Sequence, residues 1–162
     1  MEPLYKWTDS SESLKWLLLV TGILMLVMPF AVNMEGEPVA AVWIFRVTML
    51  FSAALLFFFL PEVRGKAWED HLEVKYGFTG LVGFKLDYSK IKSIKAVEYN
   101  GLKDFGGWGI KGGAGKWKGW TAFTASITNT AIAVETTEKN YLVGCQNPEE
   151  AESMLRNIVG LG

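Results

Sequence analysis

Residues Gly106 to Trp120 read GGWGIKGGAGKWKGW, a glycine-dense stretch with three tryptophans and three lysines. Gly107, Gly109 and Gly112 satisfy G-x-G-x-x-G, and Gly115-Lys116 looks like the end of a phosphate loop. Whether this stretch opens a helix over a phosphate or turns between two strands decides the fold class. A dinucleotide fingerprint needs its third glycine to start a helix whose N-terminus faces the pyrophosphate. The residues after Gly112 are GAGKWKGWTAFT, and glycines, aromatics and β-branched threonines make a poor first helical turn. The phosphate loop G-x-x-x-x-G-K-[ST] fails as well: Ile110 stands where its first glycine belongs, and Trp117 where a magnesium-binding hydroxyl is required. The stretch therefore reads as a hairpin, with Gly107 to Lys111 leading out, a GGAG turn, and Lys116 to Thr124 returning.

Working outward, short runs of strand-type residues flank this hairpin: His71 to Tyr76, Gly80 to Leu86, Ile91 to Tyr99, Ala131 to Thr136 and Tyr141 to Gly144. With the two arms of the hairpin they make about seven strands. Leu72, Val74 and Tyr76 alternate on one face, as do Ile132, Val134 and Thr136, which predicts half-buried antiparallel strands in a sandwich or barrel. Asn147-Pro148-Glu149-Glu150 predicts a helix start, with an N-cap, a proline at the first position and acids where the macrodipole favours them. Ala151, Met154, Leu155 and Ile158 then form one apolar stripe able to plug a barrel opening.

Upstream of these strands the chain changes character. Leu14 to Val32 and Val39 to Leu60 are apolar runs, charged only at Lys15 and Arg46, and each meets the roughly 20 residues needed to cross a hydrocarbon core. Buried core helices of a soluble protein would be shorter, and about a hundred remaining residues could not cover two helices apolar on every face. A cleaved signal peptide fits poorly, because Glu2, Asp9 and Glu12 precede the first run and no small-x-small site follows it. Lys6 precedes the first run and Lys15 stands at its very start, Arg64 and Lys66 follow the second, while the connecting loop Asn33 to Pro38 has two glutamates and no cation. The positive-inside rule then places both termini in the cytosol of a multi-pass cell-membrane protein. Pro61 ends the second run and Glu62 to Glu69 reads as a polar connector. The expected domains are a transmembrane hairpin over 1–61 and a cytosolic β-domain over 62–162.

From Glu69 to Val159 the pattern resembles the prokaryotic pleckstrin-homology-like (PH-like) domain. The matching residues are Gly106 to Lys111, Trp120 to Phe123, Ala131 to Glu135, Tyr141 to Gly144 and Asn147 to Glu150, with Leu86 to Ile94 similar to the family's upstream strand, turn and strand. The resemblance implies an α+β membrane protein in which two transmembrane helices precede a PH-like antiparallel barrel or sandwich of about seven strands in two near-orthogonal sheets, capped by a C-terminal helix. Phosphoinositide-binding members of the wider superfamily use basic residues around the first hairpin loop. Here that loop, Gly77 to Gly80, has no cation and is only flanked by Lys75 and Lys85, so that ligand is not carried over.

The residues point to binding rather than catalysis. Cys145 is the sole cysteine and His71 the sole histidine, they are far apart in sequence, and no nucleophile signature frames either. No catalytic residue, metal ligand or cofactor is assigned. Between Lys85 and Lys118 eight lysines face three acids, a net of +5. Lys111, Lys116 and Lys118, interleaved with Trp108 and Trp117, form a candidate surface for anionic lipid headgroups or a partner, since lysines and tryptophans both favour an anionic interface. At least one tryptophan is expected in the core. Nucleic acid is a poor partner without an arginine cluster or recognition helix. Arg46 is a candidate intramembrane contact, to a second protomer, a partner's acid or the outer headgroups. The expected function is non-enzymatic: a scaffold contacting a protein partner or its own copies, with a lipid sensor or an accessory subunit of a transporter or membrane enzyme as alternatives.

Overall fold

The computed structural model describes residues 2–32, 34–58, 61–126 and 129–161. It divides into two compact units, Glu12–Leu60 on one hand, and Met1–Ser11 with Pro61–Gly162 on the other.

The first unit is a pair of apolar helices, α1 (Glu12–Ala31) and α2 (Val39–Phe58). Both are long and apolar enough to cross a membrane, and few of their residues are buried within the protein. They pack where side chains are small: Ala53 is fully buried, and a Cβ on Gly22 would come within 3.0 Å of the Phe57 ring.

Among the described residues the second unit holds nine strands, two more than expected. β1 (Tyr5–Asp9), β2 (Val63–Ala67), β3 (His71–Tyr76) and β4 (Val82–Asp87) form one antiparallel sheet in that order. The other sheet contains β5 (Ile91–Glu98), β6 (Gly109–Gly112), β7 (Trp120–Thr124), β8 (Thr130–Thr136) and β9 (Asn140–Gly144), in the order β5-β8-β9-β7-β6. Among the described residues no strand pair joins the two sheets, so the barrel is not closed. One pair, β7 with β9, is parallel, against the expectation of antiparallel pairing throughout. The hairpin at the glycine stretch is present as β6–β7, with Gly109 opposite Thr124 and Gly112 opposite Thr121. Its return strand starts at Trp120 because Gly115–Trp117 forms a single 3-10 turn inside the loop.

β1 and β2 change the expected domain boundary. Residues 1–61 were assigned to the membrane hairpin, yet Tyr5–Asp9 pairs with Val63–Ala67, the segment read as a connector, from Tyr5 opposite Ala67 to Asp9 opposite Val63. The two apolar helices are thus inserted between the first two strands of one sheet. Trp7 and Asp9 bury their side chains on one face of β1 while Lys6 and Thr8 stay exposed. Trp7 lies flat on Gly65, where a Cβ would fall 2.2 Å from the indole, and its Nε1 donates to the Gly144 carbonyl at 3.1 Å. Asp9 is fully buried, and its Oδ2 accepts from the backbone N–H groups of Ala125 (2.8 Å) and Ser126 (3.1 Å). Gly144 makes room for it, since a Cβ there would sit 2.1 Å from Asp9 Oδ2.

The main core lies between the sheets: Val63, Leu72 and Val74 meet Ile94, Ile132, Val134 and Val143. Full burial of each such aliphatic side chain contributes about 1.5–3 kcal/mol. Phe84 bridges the layers, stacking on Tyr141 at 4.1 Å and meeting Phe123 edge-on at 5.0 Å. α4 (Pro148–Val159) covers this core with Ala151, Leu155 and Ile158, ending at Gly160 with φ 76°. Met154 is exposed rather than inward, and Asn147 begins the helix without a side-chain cap bond. A second core on the other face of the five-stranded sheet joins Ala131, Ala133 and Leu142 to Tyr99, Phe105 and Trp117. It is closed by α3 (Gly101–Phe105), a short helix that the strand pattern did not predict. Asn100 caps α3 by accepting from Lys103 N–H while Asp104 accepts from Asn100 N–H, both at 2.9 Å.

Candidate functional site

The hairpin separates the residues that the sequence interleaves. Lys111 on β6 and Lys116 and Lys118 in the loop are exposed. Trp117 turns inward, 7% exposed, against Phe105 at 6.1 Å and edge-on to Trp120 at 5.0 Å. It is therefore a core residue, as expected for at least one tryptophan of the stretch. Lys116 Nζ lies 5.1 Å from the centre of the Trp117 ring, so one lysine and one tryptophan do meet, through a cation–π contact on the core's outer wall. Trp108 is half-buried beside Gly101, with its Nε1 enclosed and without a hydrogen-bond partner. What the hairpin offers outward is chiefly cationic, with Trp108 and Trp120 only partly exposed.

The two edges of the five-stranded sheet are treated differently. At the β5 edge α4 packs alongside, and Glu152 Oε2 accepts from Ala96 N–H at 2.7 Å. At the β6 edge Ile110, Lys111 and Gly112 are exposed, and among the described residues no strand adds to it. No acidic side chain among the described residues pairs with Lys111, Lys116 or Lys118.

Arg46 sits in α2, where its Nε donates to the Pro29 carbonyl at 3.2 Å and its guanidinium lies 5.8 Å from the Phe30 ring and 5.9 Å from the Trp43 ring. Pro29 is in the last turn of α1, whose final carbonyls have no partner within the helix and carry the negative end of its dipole. Arg46 thus serves as an interhelical cap on α1. No acid among the described residues pairs with it.

Asp70 Oδ1 accepts from His71 Nδ1–H at 2.6 Å, and the imidazole stacks on Trp68 at 6.1 Å. Asp70 precedes the strand and curls back, so the two side chains meet where strand alternation alone would part them. The His71 hydrogen bond holds the Asp70 carboxyl below its usual range. Cys145 is 1% exposed, and burial pushes its thiol up to about 11, which makes it a packing group and not a nucleophile. Among the described residues no group of three or more His, Cys, Asp or Glu side chains could hold a metal ion.

One feature absent from the sequence-derived site is the loop between β3 and β4. Phe78 and Leu81 project from it, 64% and 73% exposed, with Val82 at 46%. Arg64 braces the loop from β2, its Nη2 donating to the carbonyls of Gly77 (3.0 Å) and Phe78 (2.8 Å). The signal was legible in GFTGLVG (77–83), where large apolar side chains fall inside a glycine-bracketed turn.

Comparison with known proteins finds no family model that matches this chain and no curated protein that matches it significantly.

Proposed function

We propose that this chain is a non-enzymatic, membrane-anchored binding module, in which α1 and α2 cross the bilayer and a PH-like β-domain receives a protein partner, or a second copy, along the open edge of β6. The observation that carries the reading is the contrast between the edges. The β5 edge is covered by α4, with Glu152 meeting its free N–H, whereas β6 presents unpaired backbone beside three uncompensated lysines. An extended segment bearing carboxylates suits such an edge, main-chain hydrogen bonds giving affinity and the lysines giving direction.

Membrane topology is supported by two independent arguments. Pairing of β1 with β2 requires the chain before α1 and the chain after α2 to be on one side, which two crossings satisfy. Lys6, Arg64 and Lys66 outside the helices and Lys15 in the first turn of α1, against Glu35 and Glu37 between the helices, support a cytosolic side for the β-domain.

A photo-crosslinking residue at Ile110 of the full chain, in membranes of cells that make the protein, tests the reading. An adduct is expected that vanishes with Lys111→Glu plus Lys116→Glu, and none from the same probe at Glu98 on the covered edge. Equal adducts from both edges, or adducts indifferent to charge reversal, would sink it. The same lysines favour anionic headgroups as a second reading, in which the full chain in vesicles carries its hairpin to phosphatidylglycerol at low salt and releases it at high salt.

A further inference from the structure

The apolar loop between β3 and β4 lies at a particular end of its sheet. Asp9, Val63, Tyr76 and Val82 are successive register partners across β1, β2, β3 and β4 and form one row. Asp9 and Val63 are the points at which the chain leaves the sheet for the apolar helices and returns from them. Only Ser10 and Ser11 separate Asp9 from the start of α1, a reach of about 3.3–3.6 Å per residue. From the same row, between Tyr76 and Val82, springs the loop with Phe78 and Leu81. Gly77 N–H donates to the Glu62 carbonyl at 2.8 Å, which ties the loop directly to the returning chain.

We infer that Phe78 and Leu81 form a second membrane contact, entering the headgroup–acyl boundary of the bilayer that α1 and α2 cross. The inference rests on that crossing. Phe78, Leu81 and Val82 are exposed together on one short turn, and a grouped apolar patch marks an interaction or membrane surface where scattered single residues would not. In the headgroup–acyl boundary the same side chains would lose their contact with water. Arg64 is not a headgroup clamp here, because its Nη2 is spent on the loop's own carbonyls and fixes the direction in which Phe78 points. Lys75, one residue before the row, is paired with Glu73 at 3.3 Å, so what the loop offers is apolar and not cationic. The opposite end of the same sheet, at Trp68 to Asp70, carries exposed acids at Glu69 and Asp70 instead, which an anionic interface would repel. The loop would hold the β-domain in one orientation.

The test uses the full chain in phosphatidylcholine nanodiscs, with and without phosphatidylglycerol. Cys145 is buried, so a single introduced cysteine takes an environment-sensitive fluorophore selectively. Labels at Phe78→Cys and Leu81→Cys should show blue-shifted emission and be quenched more by lipids spin-labelled near the headgroup than by those labelled deep in the chain. Glu69→Cys, on the far end of the same sheet, should remain in water and unquenched. Val47→Cys, an exposed position of α2, reports the crossing itself and should be quenched by the deep probe. Quenching at 47 with positions 78 and 81 indistinguishable from 69 overturns the loop contact alone. Absence of deep quenching at 47 overturns the crossing, and the loop contact with it.

Discussion

Adding one methyl group at Gly144 tests how the first strand is held. A Cβ at this position would stand 2.1 Å from Asp9 Oδ2, 2.7 Å from its Cγ and 3.2 Å from its Cβ. The obstacle is a fully buried carboxylate anchored by two backbone N–H groups, not the free end of a flexible chain. Accommodation therefore displaces Asp9 and strands the N–H groups of Ala125 and Ser126. Each unsatisfied buried donor costs about 1–3 kcal/mol, so Gly144→Ala should destabilise this corner by about 2–6 kcal/mol. Hydrogen exchange on the full chain in nanodiscs reads this locally. At about 1.4 kcal/mol per factor of ten, peptides covering 4–9 and 120–126 should exchange at least about tenfold faster. Gly112→Ala is the control, because nothing lies within 4 Å of its Cβ position. Asp9→Ala removes the obstacle and the acceptor together, so adding Gly144→Ala to it should cost little more. A cycle in which the two substitutions simply add would refute the reasoning, since contacting residues are expected to couple.

Three further outcomes follow from the packing. Burial alone raises the Glu73 carboxyl, but the hydrogen bond to Lys75 and the charges of Lys75, Lys85 and Lys66 outweigh it, and its folded-state pKa falls below the ordinary 4.5. A depressed acid contributes stability that is complete above 4.5 and is lost as the pH drops through the folded value. Glu73→Gln should flatten that acid limb in thermal unfolding, and parallel limbs for both proteins would contradict the assignment. Trp117→Ala should cost about 3–5 kcal/mol by opening the second core, whereas Lys118→Ala should stay within about 0.5 kcal/mol; comparable losses in urea titrations would place Trp117 outside the core. Because Asp9 faces Val63, residues 10–62 can be replaced by the two-residue turn Asn-Gly. That protein should fold without detergent while residues 62–162 alone do not, and equal behaviour of the two would show β1 to be dispensable.

Much of the β-unit was legible in the sequence because burial on one face leaves a period of two. All seven expected strands formed, His71–Tyr76 with the ends expected and the others with shifted ends. β1 and β2 were missed although Trp7 and Asp9, and then Val63, Gly65 and Ala67, keep the same period. They abut the two apolar runs, whose strong signal absorbs their flanks, and one inward position is an aspartate. Nothing local says that Asp9 is buried, because its partners Ala125, Ser126 and Gly144 come from the distant end of the chain. The parallel pairing of β7 with β9 is likewise a tertiary outcome. α3 had a usable signal in Asn100 and Asp104, but Gly101 and a single turn's length weaken the helical period. For the candidate surface, the lysines could be read as exposed by charge, whereas which of the tryptophans turns inward depends on α3 closing over the sheet.

The insertion of α1 and α2 between β1 and β2 also has a consequence for biosynthesis. The ribosome releases β1 first; its edge has no partner until both apolar helices have been made and β2 has followed, and its indole and carboxylate wait longer still, for Gly144, Ala125 and Ser126. If the helices enter the bilayer as a hairpin, β2 is returned to the side on which β1 waits, and the sheet can close. If they enter as a single span, β1 and β2 are left on opposite faces and the four-stranded sheet cannot assemble. With both helices across a bilayer, closure of the β1–β2 pair would depend on an even number of crossings, and a chain with one crossing would leave Trp7 and Val63 without their strand partners.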